Sequence, residues 1–475
     1  MPRALPGFLL LSALAMAAEQ PPALAPAPAP APQPSAAVSL AEAIAWADAA
    51  NEGPAIAATQ VARALAVQRQ ARSLLLPSAT ATAGYGTLSN QDDWWGGRSD
   101  ETLSGSLALT WYLYNGQALP GLRQTERQTE AARLSAWEVR RALAFTVTDG
   151  FLDVHAAEQS VAAAERRRAT AAQSLTDAKA RLNAGLAARG EVARVEVEDA
   201  SADLALTTAR RSLATARLIL ADVIVRDVPA ALGDAIDLEA LVAAKVTFQA
   251  IPLRAQGETV DVFDPAPPVS LDSVSNPAVQ SRLVRTASSL RPDLRALREN
   301  LAATQQAVAQ NRNQYLPDLT ANASYSDRDS NAPRSPENSP EWRASLNLSW
   351  NIFDGGRREA QIDAALASRS ELALRVMQAE RRVVRDLALA AQDLVSGRAA
   401  VRQAEVQVKA ARINAEDVNQ RAKQGLATAL EVADANVAAF EADSELVRRR
   451  LALAQSWFAL RKVIGLWPLD SVPTR

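Results

Sequence analysis

Cysteine is absent from the 475 residues. That excludes disulfides, thiolate metal sites and a lipid anchor on cysteine. Histidine occurs once, at His155, so neither a histidine-built metal site nor a histidine general base is expected. Aromatic residues make up only 5%, while alanine recurs throughout. An alanine side chain buries little area, so the composition suits long, closely packed helices better than a bulky globular core. Net charge is nearly absent too, at −2, which leaves no electrostatic footprint for nucleic acid. No later segment offers the roughly 18 consecutive apolar residues of a membrane-spanning helix. Nothing has the pattern of a nucleophile with its base, a phosphate-binding glycine loop or a metal cluster. The chain therefore reads as no enzyme, with no cofactor.

What is present begins with an export signal. Arg3 supplies charge, Phe8 to Ala17 (FLLLSALAMA) is a short apolar run, and Ala15-Met16-Ala17 offers a cleavage site, so residues 1–17 read as a signal peptide. Residues 18–37 form an Ala/Pro-rich linker, PPALAPAPAPAPQP at its centre, suited to extended polyproline conformation.

The remainder is duplicated. A long Ala-rich helical pattern pauses at Gly425 in RAKQGLATALEVADAN, and again at Gly185 in KARLNAGLAARGEV. Glycine most easily takes the left-handed conformation a helix stop needs. The two glycines stand 240 positions apart, as do Glu191 and Glu431, and Pro77 and Pro317. A fixed offset between like units marks an internal repeat. The first repeat covers 38–227 and the second 291–466, each reading as helix, strand pair and long helical hairpin. Residues 228–290, where prolines return, read as a connector with short helices and loops, and 467–475 as a tail.

Four stretches alternate with period two, which places the two residue sets on opposite sheet faces. They are Ser78 to Tyr85, Thr102 to Leu113, Leu319 to Ser326 and Trp342 to Ile352. In the second, Leu103, Leu107, Leu109, Trp111 and Leu113 oppose Thr102, Ser104, Ser106 and Thr110. Two structures suit such faces: a half-buried sheet in a soluble protein, or a barrel with lipid outside and water inside. Polar loops join the strands of each pair. In the first of them, Trp94 and Trp95 fit either a membrane interface or a local cluster.

No proline occurs from Gly121 to Val228, or from Glu341 to Trp467, and strong helix formers fill both stretches. Leu387, Leu394, Val401, Val408 and Ala415 recur every seven residues, with Ala390, Gly397, Ala404, Ala411 and Val418 three after each. This is a coiled-coil seam of small residues. The first copy shows Val147, Val154 and Val161 with Gly150, Ala157 and Ala164, and then reads as broken at Arg168. Gly121 to Leu182 would make a rod of about 90 Å, which needs neighbours in a larger coiled-coil assembly.

The ordered duplication, with WNIFDGG closing one strand pair and QGLATALEVAD at one hairpin turn, resembles the TolC-like outer-membrane efflux proteins, or outer membrane factors, over roughly residues 38–466. The resemblance implies an α+β membrane protein. It would be a homotrimer with a shared 12-stranded β-barrel, four strands from each protomer, continued by a long periplasmic α-helical barrel. It implies an exit duct of a tripartite efflux or type I secretion system. Its partners would be a periplasmic adaptor (membrane fusion protein), an inner-membrane RND or ABC pump, and outer-membrane lipid. Gly185-Leu186 and Gly425-Leu426 match the adaptor-docking tip. Glu431 and Asp434 match acidic positions that ring the periplasmic gate, and Glu191 an acidic position of the other hairpin. Ala422 and Ala427 depart from the pattern, standing where a tyrosine and an arginine make gate-locking contacts in some members.

Glu431 and Asp434 share one helix face. As a threefold ring they would attract cations; the plainer reading is a solvated face near Arg421 and Lys423. The tracts Arg166-Arg167-Arg168 and Arg448-Arg449-Arg450 read as solvated faces among Glu and Asp. The alternative function is a periplasmic coiled-coil adaptor or scaffold, which would normally carry one hairpin flanked by β domains.

Overall fold

The structure, a computed structural model, describes residues 38–90, 98–185, 187–228, 232–233, 236–243, 245–248, 269–330 and 340–469. The expected signal peptide, the linker, Trp94, Trp95 and Leu186 lie outside these residues.

Helix α1 (Leu40–Ala50) opens with a capping box, in which Ser39 and Glu42 satisfy each other's main-chain N–H. Asn51 then caps α2 (Glu52–Ser73) through the Gly53 N–H. The chain extends into β1 (Ser78–Asn90) and β2 (Arg98–Tyr114), then enters α3 (Ala118–Asn183), 66 residues long. That helix spans roughly 100 Å at about 1.5 Å per residue. It turns at Gly185 into α4 (Arg189–Ile224). Between the repeats lie α5 (Leu238–Val242), a small antiparallel pair β3 (Thr247–Phe248) and β4 (Val269–Ser270), and α6 (Pro277–Leu290). The second repeat continues with α7 (Pro292–Arg312), β5 (Asp318–Ser330), β6 (Glu341–Ser349), α8 (Arg357–Lys423) and α9 (Ala429–Ile464). The offset of 240 holds at the hairpin turns, where α3 and α8 end and α4 and α9 begin. Helix α6 precedes α7 as α1 precedes α2, so the second repeat already takes shape inside the expected connector.

The four long strands form one antiparallel sheet in the order β1-β2-β5-β6. Register aligns like with like. Ala81, Leu107, Tyr325 and Trp342 lie in one row, and Thr82, Ser106, Ser326 and Glu341 in the adjacent row. In the polar row the Thr82 and Ser106 hydroxyls are 2.6 Å apart. Tyr85, Leu103, Leu107, Leu109, Trp111, Tyr325, Trp342, Leu346 and Leu348 are all exposed. The apolar face is thus uncovered within the protomer, unlike a half-buried soluble sheet.

The fourth strand ends at Ser349, short of the expected Ile352. Its partner β5 begins at Asp318, opposite Ser349 and directly after Pro317, so β5 does not reach residues 350–352; Arg358 donates there to the carbonyls of Asn351 (2.8 Å) and Ile352 (3.0 Å). The two strand pairs are tied to the helices alike. Trp111 Nε1 donates to the Leu75 carbonyl (3.2 Å), and Trp350 Nε1 to the Tyr315 carbonyl (3.0 Å).

Helices α3 and α8 are the spines. α2 and α7 pack on their sheet-proximal halves, α4 and α9 on their distal halves. The largest core lies between these ends. There α1, α5 and α6 cover Phe145, Phe151, Leu394, Leu453, Trp457 and Phe458. Leu387, Leu394, Val401, Val408 and Ala415 are all buried, as the heptad requires. The first seam does not break at Arg168. It runs on through Leu175 and Leu182 with Ala171 and Ala178. Arg168 occupies a seam position by pairing with Asp199 on α4 (2.5 Å) and Asp203 (3.2 Å).

Candidate functional site

The candidate site residues lie at the distal ends of the two hairpins. At the second tip, Gly425 has φ +77°. Its N–H donates to the Ala422 carbonyl (3.1 Å), and the Leu426 N–H to the Arg421 carbonyl (2.8 Å). This paired bonding closes the orphan carbonyls of α8 and needs a residue in the left-handed region. Gly185, at φ +75°, makes the corresponding first bond to the Leu182 carbonyl (2.9 Å). No atom lies within 4 Å of a Cβ added at either glycine, so conformation alone demands glycine there. Leu426 is 72% exposed at the apex.

The helices leaving the two turns start differently. Thr428 caps α9: the Glu431 N–H donates to Thr428 Oγ1 (3.3 Å), and the Thr428 N–H to Glu431 Oε2 (2.7 Å). These bonds, the main-chain one first, hold the Glu431 carboxyl below the usual carboxylate range. At the matching position α4 begins from Ala188, which has no side chain to cap with, although Glu191 is in place three residues on. Glu431 is thus a capping residue as well as a candidate gate residue. Asp434, one turn further along α9, is exposed and makes no ion pair among the described residues.

Between the two hairpins lies a cleft of about 100 Å³. Arg167, Arg181 and Glu191 line it from the first hairpin, and Asn419, Ala422 and Ala427 from the second. Asn419 Nδ2 donates to Asn436 Oδ1 (3.0 Å), bridging α8 and α9. Arg181 Nη2 donates to the Ala422 carbonyl (2.6 Å), bridging the hairpins. The structure therefore brings Glu191 to the cleft wall and sets Glu431 and Asp434 on the neighbouring first turns of α9. It does not gather the three carboxylates into one cluster within the protomer.

The arginine tracts are only partly solvated faces. Arg448 and Arg449 pair with Glu445, and Arg450 with Glu405, as expected of such a face. Arg167 departs from this. Its side chain is 11% exposed, bonds Glu198 twice (3.0 and 2.8 Å), and lies 4.8 Å from the Phe440 ring centre. It joins α3, α4 and α9. In sequence, only its position one residue before the seam and the lone aromatic at Phe440 signal this.

A family model described as outer membrane efflux protein matches residues 48–224 and 283–466, most of the chain. No curated protein matches the chain. Among solved structures, CusC is 16% identical with a TM-score of 0.74, covering 90% of this chain and 92% of that one. The open state of the MtrE outer membrane channel of Neisseria gonorrhoeae is 20% identical, TM-score 0.72, covering 91% of each chain. The CmeC outer membrane channel of Campylobacter jejuni is 15% identical, TM-score 0.72, covering 90% of this chain and 85% of that one.

Proposed function

The chain belongs to the outer membrane efflux protein family, a family of outer-membrane channels with periplasmic helical extensions, and we propose that it is the exit duct of a tripartite efflux or type I secretion system. In this reading three copies share one 12-stranded barrel. Their hairpins form a periplasmic tube that receives substrate from an adaptor and an inner-membrane RND or ABC pump. The duct does no chemistry, and transport through it is passive conduction.

The observation that carries the reading is the sheet. Four strands with β1 and β6 as open edges cannot stand alone in lipid, because each unpaired main-chain group there costs several kcal/mol. Joining β6 of one copy to β1 of the next removes every edge. The exposed row of Leu107, Tyr325 and Trp342 would then face lipid, and the Thr82–Ser106–Ser326 row the aqueous lumen. The helices ask for the same neighbours. Val197, Leu204 and Leu218 on α4, and Val406 and Ile413 on α8, are exposed at heptad intervals, as seams between copies would require. Two helical hairpins, each attached to a strand pair, also differ from the single hairpin of an adaptor.

At the tip, Leu186 and Leu426 beside Gly185 and Gly425 are the proposed adaptor contacts, and Glu431, Asp434 and Glu191 the proposed gate. Membrane fractionation followed by native mass measurement tests the whole reading. A detergent-extracted outer-membrane trimer is expected, and a soluble monomer refutes it.

A further inference from the structure

The duplication repeats one small arrangement where the sheet meets the helices. In the first copy Trp111 Nε1 donates to the Leu75 carbonyl, and Arg72 stands three residues before that carbonyl, in the last turn of α2. In the second copy Trp350 Nε1 donates to the Tyr315 carbonyl, and Arg312 stands three residues before it, in the last turn of α7. Leu75 and Tyr315 are 240 positions apart, as are Arg72 and Arg312. Trp111 lies in one row with Ala321 and Leu346, on the face that the duct reading turns to lipid. Trp350, Ile352 and Phe353 are exposed at the same end of the sheet, Phe353 at 82%. Tryptophans at this level suit a membrane interface. Their N–H groups are already satisfied within the chain, however, so a lipid headgroup must find another donor.

Arginine supplies it. Arg72 and Arg312 are exposed, and neither side chain has an ion pair or hydrogen bond among the described residues. Arg357, four residues past Phe353, is nearly as free. Its Nε is 3.7 Å from Asp354 Oδ2, an oxygen that lies closer to Arg358 (3.2 Å). Arg358 in turn stacks over the Tyr315 ring at 4.4 Å, which sets the start of α8 beside the second arrangement. A cation in the last turn of a helix also complements the helix dipole. That role needs neither a membrane level nor a tryptophan, and it does not account for the repeated pairing.

We propose that Arg72 and Arg312 are binding sites for the headgroups of anionic phospholipids on the periplasmic side of the membrane, with Arg357 near the second. The proposal rests on the duct reading, which sets the sheet in a bilayer. It goes beyond that reading by naming a lipid class and the residues that hold it. The occupant follows from the chemistry. A guanidinium binds phosphate oxygens through its planar fork, and these forks stand within a helical turn of interfacial tryptophans. Each arginine is a single fork on an open surface, too little to cradle a free phosphate. A phospholipid adds the missing part, since its acyl chains lie along the apolar row and keep the headgroup at that level.

The test uses the full chain reconstituted in bilayers, with brominated lipids as probes, because bromine on an acyl chain quenches a nearby tryptophan. Brominated phosphatidylglycerol is compared with brominated phosphatidylcholine at low salt. Quenching of the wild type is expected to favour phosphatidylglycerol severalfold, and the preference should shrink as salt is added. Each arginine near the surface is worth about fivefold, so Arg72→Gln with Arg312→Gln should remove most of the preference. Arg72→Lys with Arg312→Lys keeps the charge and should retain most of it. The control is Arg210→Gln, which removes an exposed cation on α4 paired with Glu165 (3.1 Å) and should change nothing. A wild type that treats the two lipids alike overturns the proposal. So does full preference in the double Gln variant, or an equal loss in Arg210→Gln, which would show only the net charge of the chain at work. If the double variant does not assemble, the two single Gln variants carry the comparison, and wild-type preference in both overturns the proposal. Failure of the duct reading looks different: neither brominated lipid would quench the wild type, and the sites would fall with it.

Discussion

The two hairpin turns form a controlled experiment that the duplication itself provides. Thr428 and Ala188 occupy equivalent positions, each three residues before a glutamate, yet only Thr428 can cap its helix. Replacing Thr428 with Ala removes the acceptor for the Glu431 N–H and the hydroxyl that Glu431 Oε2 also contacts at 3.1 Å. Losing an N-cap threonine costs about 1 kcal/mol, within a range of roughly 0.5–2. The reverse change, Ala188→Thr, builds the missing half of a capping box around Glu191 and should return a similar amount. A change of this size is lost in the global stability of a 475-residue chain, so the readout must be local. Hydrogen exchange reports local opening, and about 1 kcal/mol corresponds to roughly a fivefold change in protection. Exchange over 429–433 should therefore quicken about fivefold in Thr428→Ala. Exchange over 189–193 should slow by a similar factor in Ala188→Thr, with the opposite tip unaffected in each case. Unchanged protection over 429–433 in Thr428→Ala would refute the capping argument. Loss of protection at both tips would show that the change acts through global unfolding.

Four further outcomes follow from the same comparison of repeats. Val225 ends α4 with φ +54°, where Gly465 stands in the second copy; relieving the left-handed penalty of a half-exposed valine should make Val225→Gly stabilising by about 0.5–1 kcal/mol, read as a raised denaturation midpoint. At the seam, the second copy has Val408 and Ala439 where the first has Arg168 and Asp199; Arg168→Val alone should cost about 1–2 kcal/mol by leaving Asp199 unpaired, and Arg168→Val with Asp199→Ala should recover nearly all of it. Glu431→Gln keeps a capping-box partner but not the charge that strengthens it, so protection of 429–433 should fall in part at neutral pH, and together with Asp434→Asn it should lower cation selectivity; unchanged selectivity would count against a carboxylate gate. Because the folded Glu431 carboxyl is depressed, its contribution is present above the ordinary glutamate value of about 4.3 and is lost as pH falls through the folded value, so protection of 429–433 should weaken on acidification in wild type but not in Glu431→Gln.

The fold was legible because period and punctuation agree in this chain. Glycines 240 residues apart marked both turns, and the heptad Leu387–Ala415 is buried throughout. What escaped was set by contacts between distant residues. Arg168 reads as a seam break because a charge at that position is costly alone; Asp199, 31 positions away, neutralises it. The end of β6 was displaced because its partner β5 starts only at Asp318, opposite Ser349, a limit that alternation within β6 itself cannot reveal. Helix α6 hid inside the Pro-rich connector, although Pro277 at its first turn and Asn276 as its cap are ordinary start signals.

At the tip the sequence marked both turns and left the partnerships open. Gly185 and Gly425 could be read from conformation alone, and the structure agrees in φ and in bonding. Glu431 carried two compatible readings at once, since Thr428 and Glu431 spell a capping box and Glu431 and Asp434 spell an acidic face. The geometry assigns the first directly and thereby constrains the second: a carboxylate folded back on its own N-cap projects less freely toward a lumen than Asp434 does. Asp434 is therefore the stronger contributor to any acidic ring, with Glu431 ordering the turn that presents it. That division of labour yields an asymmetry between single variants. Asp434→Asn should shift ion selectivity at unchanged tip protection, whereas Glu431→Ala should loosen the tip and shift selectivity only as a consequence. Equal selectivity changes with unaltered protection in both would show instead that the two carboxylates act alike.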